Sequence, residues 1–380
     1  MDTIVLAYSG GLDSSVALAW LTERYRAKVV AVTMDLGQGR DLADVRERAL
    51  AIGAVRAHVL DLREEFAKHF VLPALQASAR HGGRDVLSTA LGRPLIAKHL
   101  LEIARIEGAV AVAHASTGTP TGPARLDVLL AARNPSVTVL APAREWGFTR
   151  VEQIEYARQH GIPVAATSGP TPGADTNIWG RSIRGVADDL WQEGLSELFL
   201  LTKAAAETPD AAATVELEFA TGVPVGINGV ALPLVELFSS LDTIAGAHGV
   251  GRIETMRSDA GVATREITEA PAAFVLHMAH DALQRVVTPD DLYELTSELG
   301  RKYADLVYSG RWFMPTREAI EALVKHVQAK VTGVVRLKFF KGDCRVVGLM
   351  SPFIVQGSAA SEQAAAEAVH AAEGVLKISI

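Results

Sequence analysis

Eight residues near the start of the chain, Tyr8-Ser9-Gly10-Gly11-Leu12-Asp13-Ser14-Ser15, place two glycines, three serine hydroxyls and a carboxylate in one short stretch. That set suits an anion. Gly10 and Gly11 carry no Cβ, so the chain can turn sharply and lie close to a phosphate. Ser9, Ser14 and Ser15 supply hydroxyl donors, and Asp13 can hold the turn or sit near a phosphate-bound Mg²⁺. The apolar run Thr3 to Ala7 precedes the turn and reads as a buried strand. Val16, Leu18, Trp20 and Leu21 follow it in an amphipathic pattern that reads as a helix. Strand, glycine turn and helix in that order aim backbone N–H groups and the positive helix end at one point. No Gly-Lys-Ser/Thr follows the glycines, and G-x-G-x-x-G is absent here, so neither the Walker loop nor the dinucleotide fingerprint is present.

The rest of the chain must position that loop. With 380 residues, 49% apolar and 21% charged, it is long enough for two domains with full cores. A net charge of −7 and the lack of any Lys/Arg run argue against a nucleic-acid binder. The start Met1-Asp2-Thr3 lacks the basic opening of a secretory signal. The longest charge-free stretch, Gly108 to Ala124, contains Pro120 and Pro123 and is no membrane span. Cys344 is the only cysteine, so no internal disulfide can form and a cytoplasmic location is the default expectation.

Strand and helix patterns alternate through the first part. Val29 to Thr33, Arg56 to Leu60, Ala109 to Ala113 and Val137 to Ala141 read as strands. Leu42 to Ile52, Arg93 to Glu107 (with Pro94 in its first turn) and Thr149 to His160 read as helices, and Leu62 to Arg80 is helix-rich. This alternation predicts a parallel sheet covered on both faces, with ligands beyond the carboxyl ends of its strands. The phosphate loop, Asp35 to Gly39, and His114 to Gly122 lie at such ends and should converge. Ser168-Gly169-Pro170-Thr171-Pro172-Gly173 marks a change of architecture. Beyond it, hairpins are expected at Thr214 to Ile227 and Val334 to Leu349. Helices are expected at Leu232 to His248, Ala270 to Val286, Asp290 to Leu306 and Pro315 to Lys330, and an Ala-rich tail begins at Ser358.

The loop resembles the pyrophosphate loop of the ATP pyrophosphatases. Over nearly its whole length the chain resembles argininosuccinate synthetase, through LAYSGGLDSS, DLGQG, ALGRPLIAK, NIWGRSI, VELEFATGVPVGING, IAGAHGVGRI, LVYSGRWFMPTREAI and KVTGVVRLKFFKGDCRVVG. The resemblance implies an α/β fold. A doubly wound parallel-sheet nucleotide-binding domain (1–167) would precede an α+β synthetase and oligomerisation domain (174–357), with a shortened helical tail at 358–380. It also implies a homo-oligomer, a tetramer, or a dimer if the tail is too short. The implied reaction uses ATP and Mg²⁺, the metal carried by the phosphates with no dedicated protein ligands. The ureido oxygen of citrulline attacks the α-phosphate and expels pyrophosphate; the amine of aspartate then displaces AMP.

By this comparison the ATP contacts are Ala7, Tyr8, Ser9, Gly10, Gly11, Leu12, Asp13, Ser14 and Ser15, with Met34, Gln38, His114 and Gly118. The substrate side is altered. Thr89, Arg93, Thr117, Arg125 and Ser182 match the family, whereas Asp85, Ala90, Thr121, Gly122, Gly173 and Thr268 replace polar contacts, and Arg257 falls at the position of a glutamate. Pro120 and Pro123 also enter the loop. These differences predict a ligase whose acceptor or amine is not citrulline or aspartate, with that pair a poor substrate. The alternatives are a genuine argininosuccinate synthetase and a non-catalytic nucleotide-binding regulator. A sulfur-transferring or RNA-modifying pyrophosphatase is disfavoured by the single cysteine and the lack of a basic appendage.

Overall fold

The structure is a computed structural model that describes residues 1–39, 41–116, 124–163, 174–186, 198–259 and 262–355, with backbone alone at 184–186, 257–259, 262 and 264. The first half alternates β1 (Thr3–Ala7), α1 (Leu12–Tyr25), β2 (Lys28–Asp35), α2 (Leu42–Ile52) and β3 (Arg56–Asp61). Two short helices follow, α3 (Arg63–Phe66) and α4 (Leu72–Gln76), joined by one π-helical turn at Ala67–Val71. Next come α5 (Ser88–Ile106), β4 (Ala111–His114), α6 (Leu126–Arg133), β5 (Thr138–Leu140), α7 (Pro142–Glu145) and α8 (Arg150–Gln159).

The five strands form one parallel sheet in the order β3-β2-β1-β4-β5. The order reverses beside β1, whose last residue, Ala7, pairs with Val32 on one side and His114 on the other. Ligands bind at such a switch point. Both faces of β1 are buried: Ile4 and Leu6 pack with Leu18 and Leu21 of α1, and Val5 joins the large cluster holding Leu91 and Leu95 of α5. This explains the unbroken apolar run that the strand shows in sequence.

The second half contains β6 (Ala174–Asn177), β7 (Gly180–Val186), β8 (Ala213–Ala220), β9 (Val223–Ile227), β10 (Val230–Ala231) and α9 (Leu234–Ala247). It continues with β11 (Arg252–Asp259), β12 (Val262–Glu269), α10 (Pro271–Val287), α11 (Asp290–Tyr308), α12 (Pro315–Gln328), β13 (Gly333–Phe340) and β14 (Asp343–Met350). Two antiparallel sheets result, β10-β9-β8-β13-β14 and β11-β12-β7-β6. The α/β reading of the first half and the mixed reading of the second both hold. One apolar cluster runs from Val5 and Leu91 through Trp179 and Phe238 to Leu276, Tyr303 and Phe339, joining the two halves.

Two sequence expectations need correction, and one sheet was missed. The helix expected from Arg93 begins at Ser88, so Pro94 lies inside α5 and not in its first turn. The start is set by Leu87, at φ 63°, and by Asp85 Oδ1, which accepts the Leu87 N–H at 2.8 Å. Gly11 has an ordinary φ of −81°, so only Gly10 (φ 73°) needs the left-handed freedom of glycine in the loop. The sheet β11-β12-β7-β6 was not anticipated, because its strands bury charges. Glu269 is fully buried yet accepts N–H groups from Leu200, Leu201 and Thr202 and pairs with Arg181 at 3.1 Å. The Ala-rich tail from Ser358 lies outside the described residues.

Candidate active site

The phosphate loop is ordered by its own hydroxyls. Ser14 Oγ donates to Gly11 O (3.1 Å), accepts from Ser9 N (3.3 Å) and lies 3.2 Å from Ser9 Oγ. Tyr8 is buried, its hydroxyl 3.0 Å from Ser15 Oγ, and Thr33 Oγ1 donates to its carbonyl at 3.0 Å. A Cβ on Gly10 would stand 2.9 Å from Val45 Cγ2 on α2, and Arg48 of that helix donates to Gly10 O at 2.9 Å. Glycine is therefore required at position 10 by both space and backbone. Among the described residues no side chain caps α1. Its first-turn N–H groups, with the positive end of the helix, face the loop opening and suit an anion.

Beside the loop lies a cavity of about 240 Å³ lined by Ala7, Tyr8, Ser9, Met34, Gln38 and Asp175, among others. That volume falls just below the range of about 300–1,000 Å³ for whole drug-sized ligands, which leaves room for part of a small ligand beside the loop. Met34 is buried in its wall. Gln38 braces the wall, donating to Met34 O and accepting from Leu36 N, both at 2.7 Å. His114 ends β4 beside Ala7 of β1, with Nδ1 3.3 Å from the Ser116 N. Burial, aided by the nearby Arg144, pushes its pKa down to about 4, so the ring is neutral near pH 7. Its buried Nε2 has no partner, a polar atom left for a ligand or for residues outside the described set. Gly118 belongs to 117–123, outside the described residues.

The residues expected at the substrates divide into two groups. Thr89 and Ser182 are both buried. Ser182 Oγ sits between Ser88 Oγ (3.2 Å) and Thr268 Oγ1 (3.1 Å), and Thr89 Oγ1 is buried without a partner among the described residues. The Ser88, Ser182 and Thr268 hydroxyls form one polar cluster where α5, β7 and β12 meet. Arg93 reaches Asp175 at 3.3 Å, on the rim of the cavity beside the loop. Asp85 holds the turn before α5. Arg125 has its guanidinium forked on Asp127, Nε to Oδ1 at 3.2 Å and Nη2 to Oδ2 at 2.5 Å, with Arg144 adding a contact at 3.1 Å. Those cations hold the Asp127 carboxyl far below the usual carboxylate range, against the opposing effect of its burial. Arg257 lies in β11 opposite Thr264, and its side chain is outside the described set. Thr117, Thr121 and Gly122 are outside it too, as is Gly173.

Sequence reasoning passed over Arg48, Asp127, Asp175 and Arg150, whose Nη1 lies 3.2 Å from Asp13 Oδ1. One signal was available: Thr149-x-x-Glu152 is a capping-box pattern and fixes where α8 begins. Among the described residues, no group of three or more His, Cys, Asp or Glu side chains is placed to hold a metal ion. No helix among them is long and apolar enough to cross a membrane.

Residues 3–163 match the family model described as the arginosuccinate synthase N-terminal HUP domain, and residues 173–379 match that of the arginosuccinate synthase C-terminal domain. An argininosuccinate synthase of Symbiobacterium thermophilum is 48% identical over 352 residues, covering 92% of this chain and 88% of the relative. One from Rubrobacter xylanophilus is 47% identical over 351 residues (92% and 86%), and one from Geobacillus thermodenitrificans 45% identical over 352 residues (92% and 86%). A phosphate loop at the switch point of the sheet, a small cavity beside it and these matches in both halves lead to one conclusion: the chain belongs to the argininosuccinate synthase family.

Proposed function

We propose that the protein makes argininosuccinate from citrulline, aspartate and ATP. As a family member it is an ATP-dependent ligase that forms AMP and pyrophosphate. The observation that carries the choice of substrates is the identity of 43–48% over at least 91% of the chain to relatives that all bear the name argininosuccinate synthase. The expectation of a different acceptor gives way to this, because likeness of that extent supports the alternative better than scattered pocket substitutions oppose it.

In this reading the ureido oxygen of citrulline attacks the α-phosphate, the bond to the β-phosphate breaks and pyrophosphate leaves. The aspartate amine then attacks the activated carbon, loses its proton, and AMP departs. The N–H groups at the start of α1, with Ser9, Ser14 and Ser15, take the charge that gathers on pyrophosphate. Mg²⁺ carried by the phosphates would neutralise part of that charge. Neutral His114 and the Gln38 brace keep the nucleoside end fixed, so proximity supplies much of the remaining acceleration. Thr89, Ser182 and Arg93 are assigned to citrulline and Arg125 to the amine or acceptor carboxylate. The domain division near 168–173, homo-oligomeric assembly and a cytoplasmic setting belong to the same reading.

A second reading, a ligase with another acceptor or amine, is favoured by one observation. Arg125 already has its fork occupied by Asp127 and is not free to grip a substrate carboxylate without exchange. The test is mass-spectrometric detection of product from citrulline, aspartate and MgATP, with pyrophosphate release measured in parallel. Argininosuccinate at a turnover of about 1 s⁻¹ or more, within the usual enzyme range, supports the first reading. Pyrophosphate release with other acceptors only would favour the second. Neither product with any acceptor would leave a nucleotide-binding regulator.

A further inference from the structure

The phosphate loop contains no lysine or arginine. Pyrophosphate nevertheless leaves with several negative charges, and hydroxyl and backbone donors carry no formal charge to meet them. Two arginines reach the loop from other helices. Arg48, from α2, is committed: Nη1 donates to Gly10 O and Nη2 pairs with Asp44 at 2.5 Å. Arg150, from the first turn of α8, spends only Nη1 on Asp13, at 3.2 Å. Among the described residues that is its single partner, which leaves Nε and Nη2 uncommitted.

Its placement is built into the fold. Thr149 caps α8 with a full capping box, Thr149 Oγ1 accepting the Glu152 N–H and Glu152 Oε2 accepting the Thr149 N–H at 2.7 Å. The helix then lies along α1. Val16 and Ala19 of α1 pack with Ala157 and Ile162, and against them Trp146 stacks on Phe148, which meets Tyr156 at a tilt. At the far end Glu23 of α1 receives Tyr156 Oη and His160 Nε2, each at 2.8 Å. Two helices locked at one end and along their length have little freedom at the other. Arg150 is therefore held at the N-terminus of α1, where an anion would sit.

We propose that Arg150 belongs to the pyrophosphate site: its ion pair orients Asp13, and its remaining guanidinium donors are presented to the departing pyrophosphate. This rests on the reading of the loop as an ATP pyrophosphate site. A fork with two free N–H groups matches a phosphate oxyanion in geometry as well as charge.

The experiment uses the full chain with MgATP, citrulline and aspartate. R150Q is expected to lower kcat for pyrophosphate release about tenfold to a hundredfold. KM for citrulline and aspartate should stay within about twofold, and R150K, which restores the charge without the fork, should recover part of the loss. R150Q and D13N together should cost less than the product of the two single losses, because the residues act as a pair. An unchanged kcat, additive losses, or a loss that R150K does not recover and that follows a lowered melting temperature would each overturn the proposal. If the wild-type protein makes no argininosuccinate, the substrate reading fails while Arg150 is still read by equilibrium binding of Mg-pyrophosphate. There R150Q should weaken affinity about tenfold, the fold-change equivalent to about 1.4 kcal/mol, and equal affinity would overturn it.

Discussion

Replacing Asp13 or Ser9 by Ala is expected to abolish ATP cleavage and leave the fold intact, because both side chains are partly exposed at the mouth of the loop. Each removes groups that order the N-terminus of α1, and the loss in transition-state stabilisation should reach several kcal/mol. Pyrophosphate release at the wild-type rate in either variant would show that the loop does not hold the phosphates. Arg125→Ala is a subtler case. Its guanidinium is paired with Asp127, so the variant leaves that carboxylate with Arg144 alone. KM for one amino-acid substrate should rise about tenfold or more while KM for ATP changes little, which steady-state kinetics can separate. Equal effects on all substrates would assign Arg125 to the fold. At this scale the phosphate loop was legible because residue type and spacing alone dictate its chemistry. Arg125 was legible as a cation near the site, but its partner was not, since nothing in the sequence says that a side chain two positions on will fold back and claim its fork. Thr89 and Ser182 were readable only through family resemblance: Ser182 finds its partners Ser88 and Thr268 only where α5, β7 and β12 come together.

Elements were easiest to read where periodicity and end signals agreed. The run Leu42–Ile52 has Asp41 as a side-chain cap and Gly53 at φ 119° after it, and the helix has the ends its sequence announces. β11 and β12 were missed for the opposite reason. Buried Arg265, Glu266 and Glu269 break the apolar alternation by which a strand is recognised, and Glu269 finds its compensation in a distant segment, 200–202. The start of α5 was placed too late because Pro94 reads as a first-turn residue. In the structure it is an interior proline, tolerated at the cost of one N–H in the ladder. For α8, the capping box gives a prediction. Thr149→Ala should lower stability by about 1 kcal/mol and also lower kcat, since a frayed first turn releases Arg150 from Asp13. Denaturant unfolding and pyrophosphate release on one preparation test both parts. A stability loss with unchanged kcat would separate the cap from the site.

Across the whole molecule, one core binds the sheet of the first half to the antiparallel sheets of the second, and a polar seam runs beside it. Asp242, on α9, accepts the Ala272 N–H at 2.8 Å in the first turn of α10. Burial pushes its carboxyl up to about 7; nearby Glu269, itself paired with Arg181, adds to the rise, and the Ala272 N–H opposes it. The sign follows from proton binding. Between the ordinary carboxylate value of 3.8 and about 7 the folded state holds a proton that the unfolded chain has released. Stability from this group is therefore complete below about pH 4 and declines as pH rises through about 7. A full shift of that size would correspond to about 4 kcal/mol, and partial solvent access reduces it to about 1–2 kcal/mol. Asp242→Asn keeps an oxygen to accept the Ala272 N–H but has no charge to desolvate. Its melting temperature should match or fall below that of the wild type at pH 5 and exceed it by a few degrees at pH 8. Thermal unfolding of both proteins across that window decides the matter: parallel curves would mean that Asp242 is solvated well enough to ionise at its ordinary pH, and that the seam between α9 and α10 imposes no penalty on its charge.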